Sequence, residues 1–331
     1  MAGSRAVRIS AREQRERDAR RERRIVFAAA GVLLAALLVV VVGLVITQYL
    51  PPRARVGTVG AESVSAQALV DRAALISILE PAVQAPPIDE FAAFALERLA
   101  DEAALRSGGA AAFGAPTDHQ RAAEMRALLG LPAEADEASL AQALADLLWS
   151  PDSVRTFEAL VDARIQEAAL RARFEQELPE AAPQLRLRRI RVGDEARASE
   201  LRGRALAGEP FSALADEASV EALSLPGGDL GWMLLDAVDA AVAGAVATLE
   251  LGEVTEPLAV GPFVELYLLE ERAERRALEP GQVAELVGER LAAWLASERA
   301  AIGFENDLSP GEAAWVTERF VRRLADHAGR P

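Results

Sequence analysis

The 331-residue chain is predicted to have an α+β fold: an N-terminal transmembrane helix, helices on both flanks, and a middle domain with a small antiparallel sheet. Three observations predict it. Residues Ile25 to Ile46 (IVFAAAGVLLAALLVVVVGLVI) carry no charge. Residues 51–184 and 273–331 place apolar side chains at helical spacing, and residues 185–272 switch to short alternating runs broken by glycine turns. The expected organisation is an Arg-rich tail (1–24), a membrane helix (25–50), a helical region (51–184), the sheet-bearing domain (185–272) and C-terminal helices (273–331) that pack on the first helical region.

Composition removes several chemistries. Every one of the 36 basic residues is arginine, and cysteine is absent. A phosphate-gripping P-loop and a Schiff-base enzyme both need lysine, and a thiol nucleophile or a disulfide needs cysteine. The two histidines, His119 and His327, stand far apart and read as solvated surface groups. No metal site and no cofactor are therefore predicted. Apart from the tail, the chain is strongly acidic, which opposes nucleic-acid binding because phosphate contacts need a basic face.

At 1.5 Å per helical residue the uncharged run reaches about 33 Å, enough to cross a bilayer core. Tyr49 follows at the place of an interfacial anchor, and Pro51-Pro52 stop the helix. No small-x-small cleavage site follows, so a retained anchor is expected. Residues 1–24 hold nine arginines against four acids in a chain of net charge −15. That contrast predicts a single-pass protein of the cell membrane with a cytoplasmic N-terminus and an extracytoplasmic body. Gly31 and Ala35 form a small-xxx-small pair, which leaves homo-oligomerisation open.

In the first helical region Ile88, Phe91, Phe94, Ala95 and Leu99 share one spacing, and Val154, Phe157, Val161, Ile165 and Ala168 another after Ser150-Pro151. Thr117 reads as a cap. Further on, Leu185 to Ile190 alternate as a strand, Glu195 to Ala207 form a helix ended by Gly208, and Gly227-Gly228-Asp229-Leu230-Gly231-Trp232 make a turn. An Ala/Val helix over Ala237 to Ala247 and an apolar strand around Phe263 to Leu269 complete the domain. The tail carries a stripe through Val287, Leu291 and Trp294, then a capping box at Ser309-Pro310-Gly311-Glu312 and a stripe through Trp315, Val316, Phe320 and Leu324.

Four blocks carry a family resemblance: Ala207 to Phe211 (AGEPF), Ser212 to Ser219 (SALADEAS), Gly227 to Trp232 (GGDLGW) and Leu249 to Pro257 (LELGEVTEP). In this order and spacing the segment from Leu185 to Glu271 resembles the parvulin (PpiC) peptidyl-prolyl cis-trans isomerases, or rotamases. The flanks, opening with Val56 to Ser65, are similar to extracytoplasmic foldases of the PrsA and SurA kind, in which a helical chaperone lobe drawn from both flanks carries the parvulin domain. The resemblance implies unfolded or extended polypeptide clients.

An X-Pro bond crosses a barrier of about 20 kcal/mol. Lowering it needs no covalent step, only an apolar grip on the proline ring and polar groups that favour the twisted amide. The resemblance implies two histidines, an Asp or Cys, and a Leu, Met and Phe for these tasks. The first histidine position falls on Arg189 and the second on Phe263 or Val264. The acidic position falls on Glu221, the Leu on Leu230 beside Trp232, and the Met and Phe on Val238 and Val242. Both histidines and the pocket aromatic are thus replaced. The reading is a folding factor whose isomerase activity is weak or lost, with a non-enzymatic structural or binding component of an envelope or secretion complex as the alternative.

Overall fold

The computed structural model describes residues 34, 36–43, 51–60, 62–80, 86–235 and 238–329. The chain divides into two compact units, one made of Met1–Leu170 with Ala293–Pro331 and the other of Arg171–Ala292.

The transmembrane part of the expected fold is corrected. Among the described residues no helix is long and apolar enough to cross a membrane. Of the Ile25 to Ile46 run only Leu34 and residues 36–43 are described, as helix. The rest of that expectation, with the Arg-rich tail and the Gly31/Ala35 pair, lies outside the described residues.

The mostly helical unit opens with a hairpin over the segment that carries the flank resemblance. Strands β1 (Arg55–Val59) and β2 (Glu62–Ser65) pair antiparallel, and β7 (Phe304–Asn306) returns from the C-terminal flank to the other side of β1. Sheet order is β2-β1-β7. Gly57 permits this closure, since a Cβ there would lie 2.6 Å from the Glu305 carbonyl oxygen.

Ser65 caps α1 (Ala66–Leu79), accepting from the Ala68 N–H at 3.2 Å. Helices α2 (Phe91–Phe113), α3 (Asp118–Leu128), α4 (Glu137–Leu147) and α5 (Pro151–Gln176) follow. Thr117 forms a capping box with Gln120, and the Ser150 hydroxyl accepts from the Ser153 N–H at 3.1 Å. The last helix, α10 (Pro310–Ala328), starts with the Ser309/Glu312 capping box. Its Val316 and Phe320 join Leu69, Ala73 and Phe91 in one core, with Phe320 stacked on Phe91 at 4.7 Å. Three residues of the expected stripes, Ile88, Val154 and Ala168, are exposed. Ile88 precedes the first turn of α2, and Val154 lies off the buried face carried by Phe157, Leu160 and Val161.

The second unit is built on a four-stranded antiparallel sheet of order β4-β3-β6-β5, with β3 (Ala181–Val192), β4 (Asp229–Leu234), β5 (Leu258–Val260) and β6 (Phe263–Ala277). Alternation along β3 divides the core between its two faces. Ile190 and Val192 pack with Leu201 of α6 (Glu195–Leu206) and Phe211 and Leu214 of α7 (Phe211–Ala218). Leu185 and Leu187 pack on the opposite face with Val242 and Val246 of α8 (Ala240–Ala247). The long helix α9 (Pro280–Ile302) then leads back to the first unit.

Candidate active site

The site begins with register. Arg189 and Arg191 of β3 stand opposite Tyr267 and Glu265 of β6. All four share the face of β3 that carries Leu187, because side chains two apart point the same way. The loop after α7 closes over this end of β3. The Val220 N–H donates to the Arg191 carbonyl at 2.9 Å, and the Ser219 hydroxyl accepts from the Arg191 N–H at 3.2 Å. Glu221 is thereby brought to the arginines.

The result is a closed ionic network. Arg189 Nη2 donates to Glu221 Oε2 at 2.6 Å, and Arg191 Nη1 donates to Glu221 Oε1 at 2.7 Å. Arg191 Nε donates to Glu265 Oε1 at 2.5 Å, and the Tyr267 hydroxyl donates to Glu265 Oε2. Arg191 also lies over the Phe263 ring, 5.3 Å from its centroid. Glu265 is only 1% exposed. The charges of the two guanidiniums and two carboxylates cancel. Burial, and then the hydrogen bond to Glu265, lift the Tyr267 hydroxyl well above the usual phenol range. Burial works against the Arg189 charge, but bonding to Tyr267 and Glu221 and the field of Glu265 outweigh it and raise its pKa.

The turn that carries Leu230 is set by close backbone approach. Gly228 has φ +67°, and a Cβ there would lie 2.2 Å from the Arg189 carbonyl oxygen. Arg188 Nη1 donates to the Gly227 carbonyl at 2.9 Å, and the Asp229 carboxylate accepts from the Gly231 N–H at 2.9 Å. Leu230 then packs beside Val238 and Val242.

The structure therefore brings together Arg189, Glu221 and Phe263 in one cluster, and Leu230, Val238 and Val242 in an adjoining core. It separates two others. Val264 lies on the opposite face of β6, with Val192 and Leu266. Trp232 lies beneath Arg276, 4.5 Å from ring centroid to guanidinium, and its carbonyl accepts from Gln282 Nε2 at 3.0 Å. Val242 has no exposed surface, so its side chain contributes to the core and touches no solvent-borne ligand in this arrangement. His119 is exposed, whereas His327 is half-buried with its Nδ1 lacking a hydrogen bond.

Sequence reasoning missed Glu265 and Tyr267. The available signal was an acid interrupting the apolar run from Phe263 to Leu269, at the same parity as Phe263 and Tyr267. Among the described residues no group of three or more His, Cys, Asp or Glu side chains is arranged to hold a metal ion.

A strand-helix-helix-turn unit on an antiparallel sheet, with a polar cluster at the end of its central strand, is a domain of parvulin type. Residues 187–271 match the Rotamase family, described as the PPIC-type PPIASE domain. No curated protein matches the chain. Among solved structures, the peptidylprolyl isomerase PrsA from Bacillus anthracis is 16% identical, with 68% of this chain and 96% of that one covered and a TM-score of 0.37. The parvulin domain of PpiD from E. coli is 22% identical over 29% of this chain and 93% of its own, with a TM-score of 0.27. A SurA-like chaperone structure from Campylobacter jejuni is 17% identical over 59% and 79% of the two chains, with a TM-score of 0.28.

Proposed function

We propose that the protein is a folding factor for unfolded or extended polypeptides, in which the parvulin-type domain contributes little prolyl isomerisation. The observation that carries this reading is the state of Glu221. Both of its carboxylate oxygens are engaged by Arg189 and Arg191. A carboxylate held in this way is not free to act on an amide, and the guanidinium N–H groups that hold it are equally occupied. The ring pocket is reduced as well. Val238 and Val242 stand where the parvulin resemblance implies Met and Phe, and both are buried. Each buried methylene of lost contact is worth about 0.8 kcal/mol, and 1.36 kcal/mol is tenfold in rate.

The test compares two activities of the full chain. Exchange NMR on a proline peptide should show cis-trans exchange only slightly faster than the uncatalysed rate. Suppression of aggregation of a chemically unfolded protein should be intact. Turnover matching that of an intact parvulin in the same assay overturns the weak-site reading.

A further inference from the structure

We propose that the open edge of β2 takes up an extended client segment by strand addition, with an acidic side chain of that segment paired to Arg106. The inference rests on the folding-factor reading but concerns the helical unit alone. Strand β2 is the outer strand of the order β2-β1-β7, so one row of its backbone donors and acceptors faces away from the sheet. A cleft of about 330 Å³ touches all four of its residues, Glu62, Ser63, Val64 and Ser65. Successive side chains in a strand point to opposite faces, so a cavity that meets four consecutive residues runs along the strand edge. The facing helices contribute apolar Leu99 and Ala103 of α2 and Ala159 of α5, together with polar Thr156 and the charged Arg106, Asp152 and Arg155.

Charge selects the occupant further. Of the four charged residues lining the cleft, Arg155 is ion-paired with Asp152 and Glu62 is exposed, whereas the half-buried Arg106 side chain has no ion pair or hydrogen bond among the described residues. A half-buried guanidinium beside an unpaired strand edge and the apolar patch of Leu99, Ala103 and Ala159 matches an extended segment that alternates apolar residues and carries one carboxylate. The backbone bonds of such a segment are independent of its sequence, which suits varied clients.

The experiment uses the full chain and a short fluorescein-labelled peptide alternating Val and Thr with one central Glu, read by fluorescence polarisation. Two companion peptides carry Lys in place of the Glu, or N-methyl groups on alternate amides. Arg106→Glu should weaken the Glu peptide about tenfold and reverse the preference toward the Lys peptide, the size expected for a charged hydrogen bond. Ala159→Trp should close the cleft to the Glu and Lys peptides, and N-methylation should abolish binding to the unaltered chain. Equal binding by the N-methylated peptide, or by the Arg106→Glu variant, overturns the proposal. So does a concentration-dependent dimer that Ala159→Trp dissolves, since the occupant is then a second copy. Suppression of aggregation that persists in both variants sinks strand addition and leaves the folding-factor reading standing. Its absence in the unaltered chain sinks that reading instead.

Discussion

Two of the arginine-glutamate clusters among the described residues, one in each unit, differ in exposure. In the helical unit Arg72 is fully buried and bonds both Glu80 and Glu102 at 2.7 Å, while Arg98 reaches the other oxygen of Glu80 at 2.9 Å. In the parvulin-type domain the side chains of Arg189, Arg191 and Glu221 stay about one-fifth exposed, and only Glu265 is sealed. The same residue types therefore serve different ends. A sealed cluster fixes the packing of α1 against α2, whereas a cluster open at one side holds a loop and remains in reach of a ligand. Burial, more than composition, separates the structural from the functional reading of an ion pair.

The largest expected effect comes from the sealed cluster. Arg72→Ala leaves Glu80 and Glu102 buried, with Glu102 stripped of its cation, and removing one partner of a buried pair costs about 3–5 kcal/mol. Chemical denaturation of the full chain should show that loss. An unchanged midpoint would mean that Arg98 compensates for both acids.

Acid should reach the same unit in two steps of opposite sign. Burial is the largest influence on Glu80, but Arg72 and Arg98 overcome it and lower its pKa in the folded state. Its stabilisation is present above the unfolded value of about 4.3 and is lost as pH falls through the lower folded value. Asp71 is raised chiefly by burial. The folded state takes up that proton first, so stability gains as pH falls from the raised value toward about 3.9. Hydrogen exchange of the α1 amides across this range should show a shallow rise in protection followed by a fall. A monotonic loss from neutral pH downward contradicts the assignment to Asp71.

A smaller loss is expected at the one sealed member of the open cluster. Glu265→Ala deprives the Tyr267 hydroxyl and Arg191 Nε of their acceptor. Leaving such groups unsatisfied costs about 1–3 kcal/mol. Because Glu265 anchors Arg191 and Arg191 anchors Glu221, the 219–226 loop should also loosen, which amide exchange at Ala222 and Leu225 would report. Loss of stability without loosening of that loop would show that the loop is held by Ser219 and Val220 alone.

How much of this was legible in the sequence follows from the range of the interactions. Helix ends set by local chemistry were readable: Thr117 and Ser309 cap as their spacing implies, and α6 ends within a residue of the expected point. The glycine turn was readable because Gly228 is required by contact with a strand that the same pattern predicts. The sheet of the helical unit was not, since β7 is three residues long and pairs with β1 across about 250 positions. The pairing of Arg189 and Arg191 with Glu265 depends on the register between β3 and β6, which includes two irregularities. A register shift of one residue moves every side chain to the other face. The second histidine position was placed on Phe263 or Val264 by resemblance, which leaves unread that Tyr267 is the residue standing opposite Arg189.

The smallest effect is expected at Glu221, and it sharpens the comparison most. Its ion pairs are partly solvated and both arginines retain Glu265 nearby, with Arg189 Nη1 at 3.9 Å from its carboxylate. Glu221→Ala should therefore cost at most about 1 kcal/mol of stability, the usual worth of such pairs. On the weak-site reading the slow prolyl exchange should stay where it is. The substitution also frees Arg189 Nη2 and Arg191 Nη1, which gives the domain a net positive cluster in place of a neutral one. Weak binding of anionic peptides to the domain should then rise and fall off with added salt. Exchange that drops to the uncatalysed rate would instead show that the clamped carboxylate is the catalytic group, and the open cluster would differ from the sealed one in chemistry as well as in burial.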